Sequence, residues 1–238
     1  VKKATKTAAL LLKKAEKLII PPLPQTTRGK KTIDKGVVIR APKFAQANML
    51  IVGTAPYVQH AFSQKQQNVM IATQEAGQQA KKGRTREAKD FNSVYEGAIH
   101  YSRQGWIGIP ASAFRNGMIS ACRTVGYKMT LAKLSVFVEA NGFDRSSGDP
   151  LVKITKGKPR KHYATARNAN GATDVRCRPM WDEGWEAIVT VRWDQDQFSA
   201  SDVVNLLARV GLQVGIGEGR PDSRESAGLG WGLFKVKS

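Results

Sequence analysis

The chain has 238 residues and a mass of 26.1 kDa, is 41% apolar, and carries 38 Lys and Arg against 19 Asp and Glu, a net charge of +19. That length and apolar fraction can fill one large core or two small ones, which argues against wholesale disorder, and the charge excess points to a polyanionic partner, nucleic acid ahead of anionic membrane. Two distant cysteines, Cys122 and Cys177, and three histidines in no ligand spacing predict neither a disulfide scaffold nor a metal centre, and no cofactor is expected.

In chain order, Val1 to Lys43 holds twelve basic residues against two acids and is broken by Pro21, Pro22 and Pro24. It reads as a basic arm (residues 1–43) with a short helix from Thr7, a Pro-rich linker and a strand at Gly36 to Arg40. Its apolar stretch "AALLLKKAEKLIIPP" is interrupted by lysines and falls short of the roughly 18 residues of a membrane span, so a cytoplasmic protein without a membrane partner is expected. The folded part, residues 44–238, opens with "ANMLIVGTAPYVQHAFS", whose β-branched run from Asn48 to Thr54 predicts a buried strand. An insertion over about 63–97 follows, rich in Gln, Ala and Lys, with a basic turn at Lys81 to Arg86.

One or two strand segments lie between Ile99 and Ile109. Pro110 stops them, and Ser112 is the expected N-cap of a helix from Ala113 to about Val125, closed by Gly126, with Phe114, Met118, Ile119 and Cys122 on one face. Leu134 to Glu139 predicts a strand. A second insertion, about 140–178, contains an acid-free basic run from Leu151 to Thr173, expected to form a projecting hairpin or a pair of loops, with short strands at Leu151 to Thr155 and Asp174 to Cys177. "WEAIVTVRWD" alternates as a half-buried strand should. "FSASDVVNLLARVG" reads as a helix with a Ser199/Asp202 capping box, a buried face of Val203, Leu206, Leu207 and Val210, and Gly211 at C′. Six glycines between Gly215 and Gly232 then precede a last strand to Val236.

The resulting order, strand, helix, strand, strand, helix, strand, predicts an α+β fold with a ferredoxin-like βαββαβ core. The open sheet face of such folds is a common platform for single-stranded RNA.

Three stretches together resemble the RAMP superfamily, the ferredoxin-like RNA-binding subunits best known from CRISPR effector complexes. "LIVGTAPYVQHAF" is similar to that family's first strand and Gly-x-x-Pro turn. "IGIPASAFRNGMISACR" resembles its Pro-x-Ser helix start, with Arg115 where a basic residue is usual and Asn116 in place of a glycine. "GIGEGR" through "GLGWGLFKV" resembles its glycine-rich loop between last helix and last strand. The match covers about half of Met49 to Val236, and a phage or mobile-element relative is suggested.

The resemblance implies backbone contacts to nucleic acid from the helix start and the glycine loop, here Ser112, Phe114 and Arg115, with Arg123, and Gly215, Gly217, Gly219, Arg220, Arg224, Gly228 and Gly230. A helix N-terminus and glycines at close approach suit phosphate on physical grounds as well. The basic segment with Lys153, Lys156, Lys158, Arg160, Lys161 and Arg167 is expected to close over a strand as a thumb, with Tyr163 stacking on a base. Trp181, Trp185, Trp193 and Trp231 are expected in packing. The three acids of the glycine loop, Glu218, Asp222 and Glu225, are out of place beside phosphate and point either to contact at the glycine ends alone or to a protein neighbour.

The expectation is a non-enzymatic protein that binds single-stranded RNA or DNA, as a homo-oligomer or within a multi-subunit complex. A phage single-strand annealing protein, a metal-dependent ribonuclease and a basic virion component are the alternatives. The loop carboxylates Asp90, Asp144, Asp149, Asp174, Asp182 and Glu183 include no evident catalytic set, and no histidine is expected near the glycine loop.

Overall fold

The structure is a computed structural model and describes residues 41–62, 64–75, 90–167, 173–223 and 228–237. The chain divides into Val1–Arg40 and Ala41–Ser238. The arm's expected helix and strand, the Lys81 to Arg86 turn, Arg224 and Glu225 lie outside the described residues. In chain order the elements are β1 (Phe44–Gly53), β2 (Tyr57–Val58), α1 (Gln64–Glu75), α2 (Phe91–Gly97), β3 (Gly108–Pro110), α3 (Ala111–Ala121), α4 (Met129–Ser135), β4 (Val136–Glu139), β5 (Gly142–Phe143), β6 (Pro150–Lys156), β7 (Arg160–Arg167), β8 (Thr173–Trp181), β9 (Glu186–Asp194), α5 (Ala200–Arg209) and β10 (Phe234–Val236).

The alternation in "WEAIVTVRWD" turns Ala187, Val189, Val191 and Trp193 of β9 to one side of the main sheet, all buried. β1 pairs antiparallel with β9 along nine residues, Phe44 opposite Asp194 to Val52 opposite Glu186. The far edge of β9 is shared: β4 pairs from Val136 opposite Trp193 to Glu139 opposite Thr190, and β6 takes Ala187 through Ile154. β10 covers the end of β1, Ile51 to Gly53. Across the four strands of the core pattern the order is therefore β10-β1-β9-β4, antiparallel throughout.

Helices α3 and α5 join one core with the inward residues of β1, β9 and β4. Phe114 and Met118 of α3 are fully buried, and burying each such side chain contributes about 1.5–3 kcal/mol. α3 starts two residues earlier than expected: Pro110 is the N-cap and no side chain caps the helix, so Ser112 sits in the first turn with its hydroxyl outside the cap. The helix tightens into a 3-10 turn, Cys122–Val125, and ends at left-handed Gly126 as expected. Leu134 and Ser135 belong to α4, so the strand begins only at Val136. In α5 the capping box is formed: Asp202 N–H donates to Ser199 Oγ at 3.2 Å, and Ser199 N–H to Asp202 Oδ2 at 2.9 Å. Gly211 is not the C′ residue. The helix runs on through a π turn, Val210–Val214, to Gly215, and Gly211 is where its backbone lies against β10: a Cβ there would sit 2.1 Å from the Phe234 carbonyl oxygen.

The second insertion does not form a single thumb. β6, with Lys153 and Lys156, belongs to the main sheet, whereas β7 and β8 form a hairpin that with β2 makes a separate sheet, β2-β8-β7. Trp181, Trp185 and Trp193 are buried, as expected. Among the described residues no helix is long and apolar enough to cross a membrane.

Candidate nucleic-acid interface

β1 runs directly into the turn Thr54 to Pro56, and the glycine-rich loop is tied to that turn and to β2 by backbone hydrogen bonds. Thr54 N–H donates to Leu233 O at 2.9 Å, Gly232 N–H to Pro56 O at 2.7 Å, and Glu218 N–H to Val58 O at 3.0 Å. Two stretches distant in sequence are thereby placed side by side next to the start of α3. Between them lies a groove of about 560 Å³, lined on one wall by Ser112, Ala113 and Asn116 and on the other by Gly215 through Arg220. Tyr57, Gln59, His60, His100 and Arg176 also line it.

The groove is suited to an anion. The first turn of α3 presents N–H groups with no intrahelical acceptor and the positive end of the helix dipole. Arg176, from β8, and Arg220, from the loop, have no carboxylate at ion-pair distance among the described residues. Arg220 is oriented by its own loop, Nη1 donating to Gly217 O at 3.0 Å.

The two described acids of the loop, Glu218 and Asp222, are accounted for by neighbours within the protein. Asp222 accepts two hydrogen bonds from Arg123 Nη2, each 2.7 Å, and Glu218 Oε2 accepts from Arg178 Nε at 2.9 Å. They pin the loop to α3's 3-10 extension and to β8 instead of facing phosphate unpaired. The hydrogen bond from Arg123 holds the Asp222 carboxyl below its usual 3.8. Because this pKa is lowered in the folded protein, the clamp contributes stability above the ordinary carboxylate range and loses it as pH falls through the lowered value. An Asp222→Asn variant should therefore flatten the acid limb of the thermal-stability profile below about pH 4, measured by circular dichroism, while leaving the profile near pH 7 with a uniform offset. An acid limb unchanged by the substitution would mean that the clamp carries no weight.

The glycines serve the loop's own packing as much as any ligand. A Cβ at Gly217 would meet Val58 O at 2.4 Å, and one at Gly219 the Trp231 ring at 2.5 Å. A Cβ at Gly228 or Gly230 would meet nothing within 4 Å, and neither glycine lines the groove.

Two histidines reach the site, against the expectation of none near the loop. His60 Nδ1 lies 3.9 Å from Glu218 Oε2, and burial, then the Arg178 charge, lowers its pKa. His100 Nδ1 is 2.8 Å from Asp144 Oδ2. Burial pushes the Asp144 carboxyl up, but hydrogen bonds from Ser146 N–H, His100 and Ser147 N–H outweigh it and leave the pKa lowered. A third, His162, packs edge-on against Trp231 of the loop, ring centroids 5.3 Å apart. Among the described residues no three His, Cys, Asp or Glu side chains come together in an arrangement that could hold a metal ion.

Of the residues expected to bind, Ser112, Gly215, Gly217, Gly219 and Arg220 come together in the groove. Phe114 is fully buried and cannot reach a ligand, because its position falls on the core face of α3. Arg115 does not line the groove: it donates to Val136 O at 3.1 Å and to Lys133 O, tying α3 to the α4–β4 junction. Arg123 is taken by Asp222. The basic segment is scattered over two sheets, and two of its six cations are ion-paired: Lys156 with Glu186 at 3.1 Å, Arg160 with Asp182 at 2.9 Å. Lys161 bonds Asn92 and lies over the Tyr95 ring, and Tyr163 packs edge-on against Phe91. Lys153 pairs through its backbone in β6, Lys158 lies in the β6–β7 connection, and Arg167 is placed by its backbone opposite Thr173. Sequence reasoning missed Arg176 and Arg178, although their i, i+2 spacing in "DVRCRP" puts both on one face of a strand.

No protein-family model matches the chain, and no curated protein matches it. Among solved structures it is similar to a chain of "Cryo-EM structure of the Type III-B Cmr-beta bound to cognate target RNA", with 9% sequence identity and a TM-score of 0.48. The likeness covers 82% of this chain and 60% of that one.

Proposed function

We propose that this protein binds single-stranded nucleic acid by its sugar–phosphate backbone in the groove between α3 and the glycine-rich loop, and does so without cleaving it. The observation that carries the reading is the convergence of a helix N-terminus, Arg176 and Arg220 on one groove whose two acids are already engaged by Arg123 and Arg178. The net charge of +19 supports it, as does the resemblance of three segments to RAMP proteins, two of which form the groove's walls. The strand order β10-β1-β9-β4 under two helices supports a ferredoxin-like core.

Fluorescence anisotropy with labelled single-stranded RNA and DNA of about 20 nucleotides, titrated from low to high salt, tests the reading. Affinity should fall with log[salt] at a slope of about −0.7 for each phosphate neutralised, with little dependence on sequence and no strand scission in Mg²⁺. Absence of salt-dependent binding to either sugar type would overturn it.

A further inference from the structure

His100, on the wall of the groove, is held at two points. Its backbone N–H donates to Gln59 Oε1 at 3.0 Å, and buried Gln59 is itself fixed, its Nε2 donating to Gly108 O at 2.7 Å and to the Tyr57 hydroxyl at 3.1 Å. Its ring is fixed by Asp144, whose Oδ2 lies 2.8 Å from Nδ1. Oδ1 of the same carboxyl accepts from Ser146 N–H at 2.7 Å and Ser147 N–H at 3.1 Å. The His100 and Asp144 side chains are 14% and 5% exposed, so the pair is set inside the protein with only an edge of the ring reaching outward.

This pairing decides which ring nitrogen carries the proton. Burial raises the Asp144 pKa, but its hydrogen bonds outweigh that effect, so the carboxyl is ionised at neutral pH and can only accept. Nδ1 must therefore donate, and in the neutral ring Nε2 is left as an acceptor. His100 lines the groove and Asp144 does not, so the Nδ1 edge of the ring is turned into the protein and the opposite edge, with Nε2, towards the groove. Among the described residues no group bonds Nε2, and the atom is not buried. His60 is not equivalent: Glu218 lies 3.9 Å from its Nδ1, beyond hydrogen-bond reach, so nothing fixes its tautomer in the same way.

A fixed acceptor is out of place in a groove that only gripped phosphate. Phosphate oxygens accept and do not donate, and deoxyribose within a strand has no hydroxyl. The one donor on a sugar–phosphate backbone is the 2′-hydroxyl of ribose. We infer that His100 sets the sugar specificity of the groove, its Nε2 accepting a hydrogen bond from the 2′-hydroxyl of a bound ribonucleotide, with Asp144 and Gln59 as positioning residues. The inference rests on the groove being the nucleic-acid site. Ser112 and Asn116 on the facing wall can donate as well as accept and so suit phosphate, whereas Nε2 of the neutral ring cannot. A deoxy strand would displace water from Nε2 and give nothing back, so the discrimination comes from an acceptor left unpaired as well as from the bond gained.

Anisotropy titrations of the full chain at about pH 8, above the ordinary imidazole range, with oligouridine, oligodeoxyuridine and 2′-fluoro-oligouridine of one length test this. The base is the same in all three, and the fluoro strand keeps a ribose-like sugar without the donor. Wild type should bind oligouridine about three- to tenfold more tightly than either of the others. His100→Ala should bring the ratio of RNA to DNA affinity close to one, where a merely structural lesion would weaken all three strands alike. In Asp144→Asn the two serine N–H groups hold the amide oxygen, so the amide NH₂ faces Nδ1 and moves the ring proton to Nε2. That variant should also lose the preference for oligouridine, although the His100 ring is still present. Should Asp144→Asn fail to fold, His100→Ala and the fluoro strand on wild-type protein carry the test. Equal, salt-dependent binding of all three strands by wild type, or a preference for oligouridine that survives His100→Ala, would overturn the inference and leave the groove reading standing. Absence of salt-dependent binding to any strand would overturn the groove reading, and this inference with it.

Discussion

Replacing both Arg176 and Arg220 by alanine should weaken binding to a single-stranded oligonucleotide by about a hundredfold at low salt, the size expected for two charge-assisted hydrogen bonds at roughly 1.5 kcal/mol each. The salt slope should fall by about 1.4, because two phosphates would no longer be neutralised. Both side chains are half-buried and have no acidic partner among the described residues, so the double variant should melt close to wild type. The informative control is Lys153→Ala with Lys158→Ala. These lysines lie in the acid-free run that looks most like a nucleic-acid site in the sequence, but neither lines the groove. Their removal should cost less than about threefold, a loss of general attraction only. If the lysine pair mattered more than the arginine pair in the same anisotropy titration, the interface would have to be moved to the β6–β7 region.

The second large effect concerns stability. Gly232 has φ +71°, and a Cβ there would lie 1.8 Å from Ile216 O, a backbone atom that cannot swing away as a side chain could. Ile216 N–H in turn donates to Gly232 O at 3.1 Å, so the two backbones are held together at the point where the loop re-enters the sheet. Gly232→Ala should therefore cost at least about 3 kcal/mol, combining left-handed strain with displaced backbone. For a domain of this size that is a fall in Tm of roughly 6–12 °C. Gly230→Ala separates the two contributions: φ is again +71°, but the added methyl meets nothing within 4 Å. It should cost only about 1 kcal/mol. Equal melting temperatures for the two variants would show that the close approach at Gly232 is not what the loop depends on.

Where local chemistry is sufficient, the sequence was a good guide. The alternation of β9, the capping box of α5 and the left-handed Gly126 each depend on a few neighbouring residues, and each is found in the fold. The helix of "IPASAF" was placed to within two residues at its start, the difference arising because Pro110 can occupy the N-cap with no side-chain bond. Leu134 and Ser135 were misread because a two-residue handover from helix to strand leaves no periodicity to detect. Gly211 was misread because a glycine after a helix is usually a stop signal, and here it makes room for β10.

The site divides along the same line. Ser112 and the glycine loop could be named in advance, since a helix start and a glycine cluster are visible one segment at a time. Composition also set the expectation of a polyanionic partner, because net charge is a sum and does not depend on how the chain is arranged. Which charges are free to meet that partner was decided by the tertiary structure alone. Arg123 is taken by Asp222, 99 residues away, and Arg178 by Glu218, 40 residues away, while Arg176 is brought into the groove by the β7–β8 hairpin. Pairing over such separations is a property of distance in space, and no local pattern of residues encodes it.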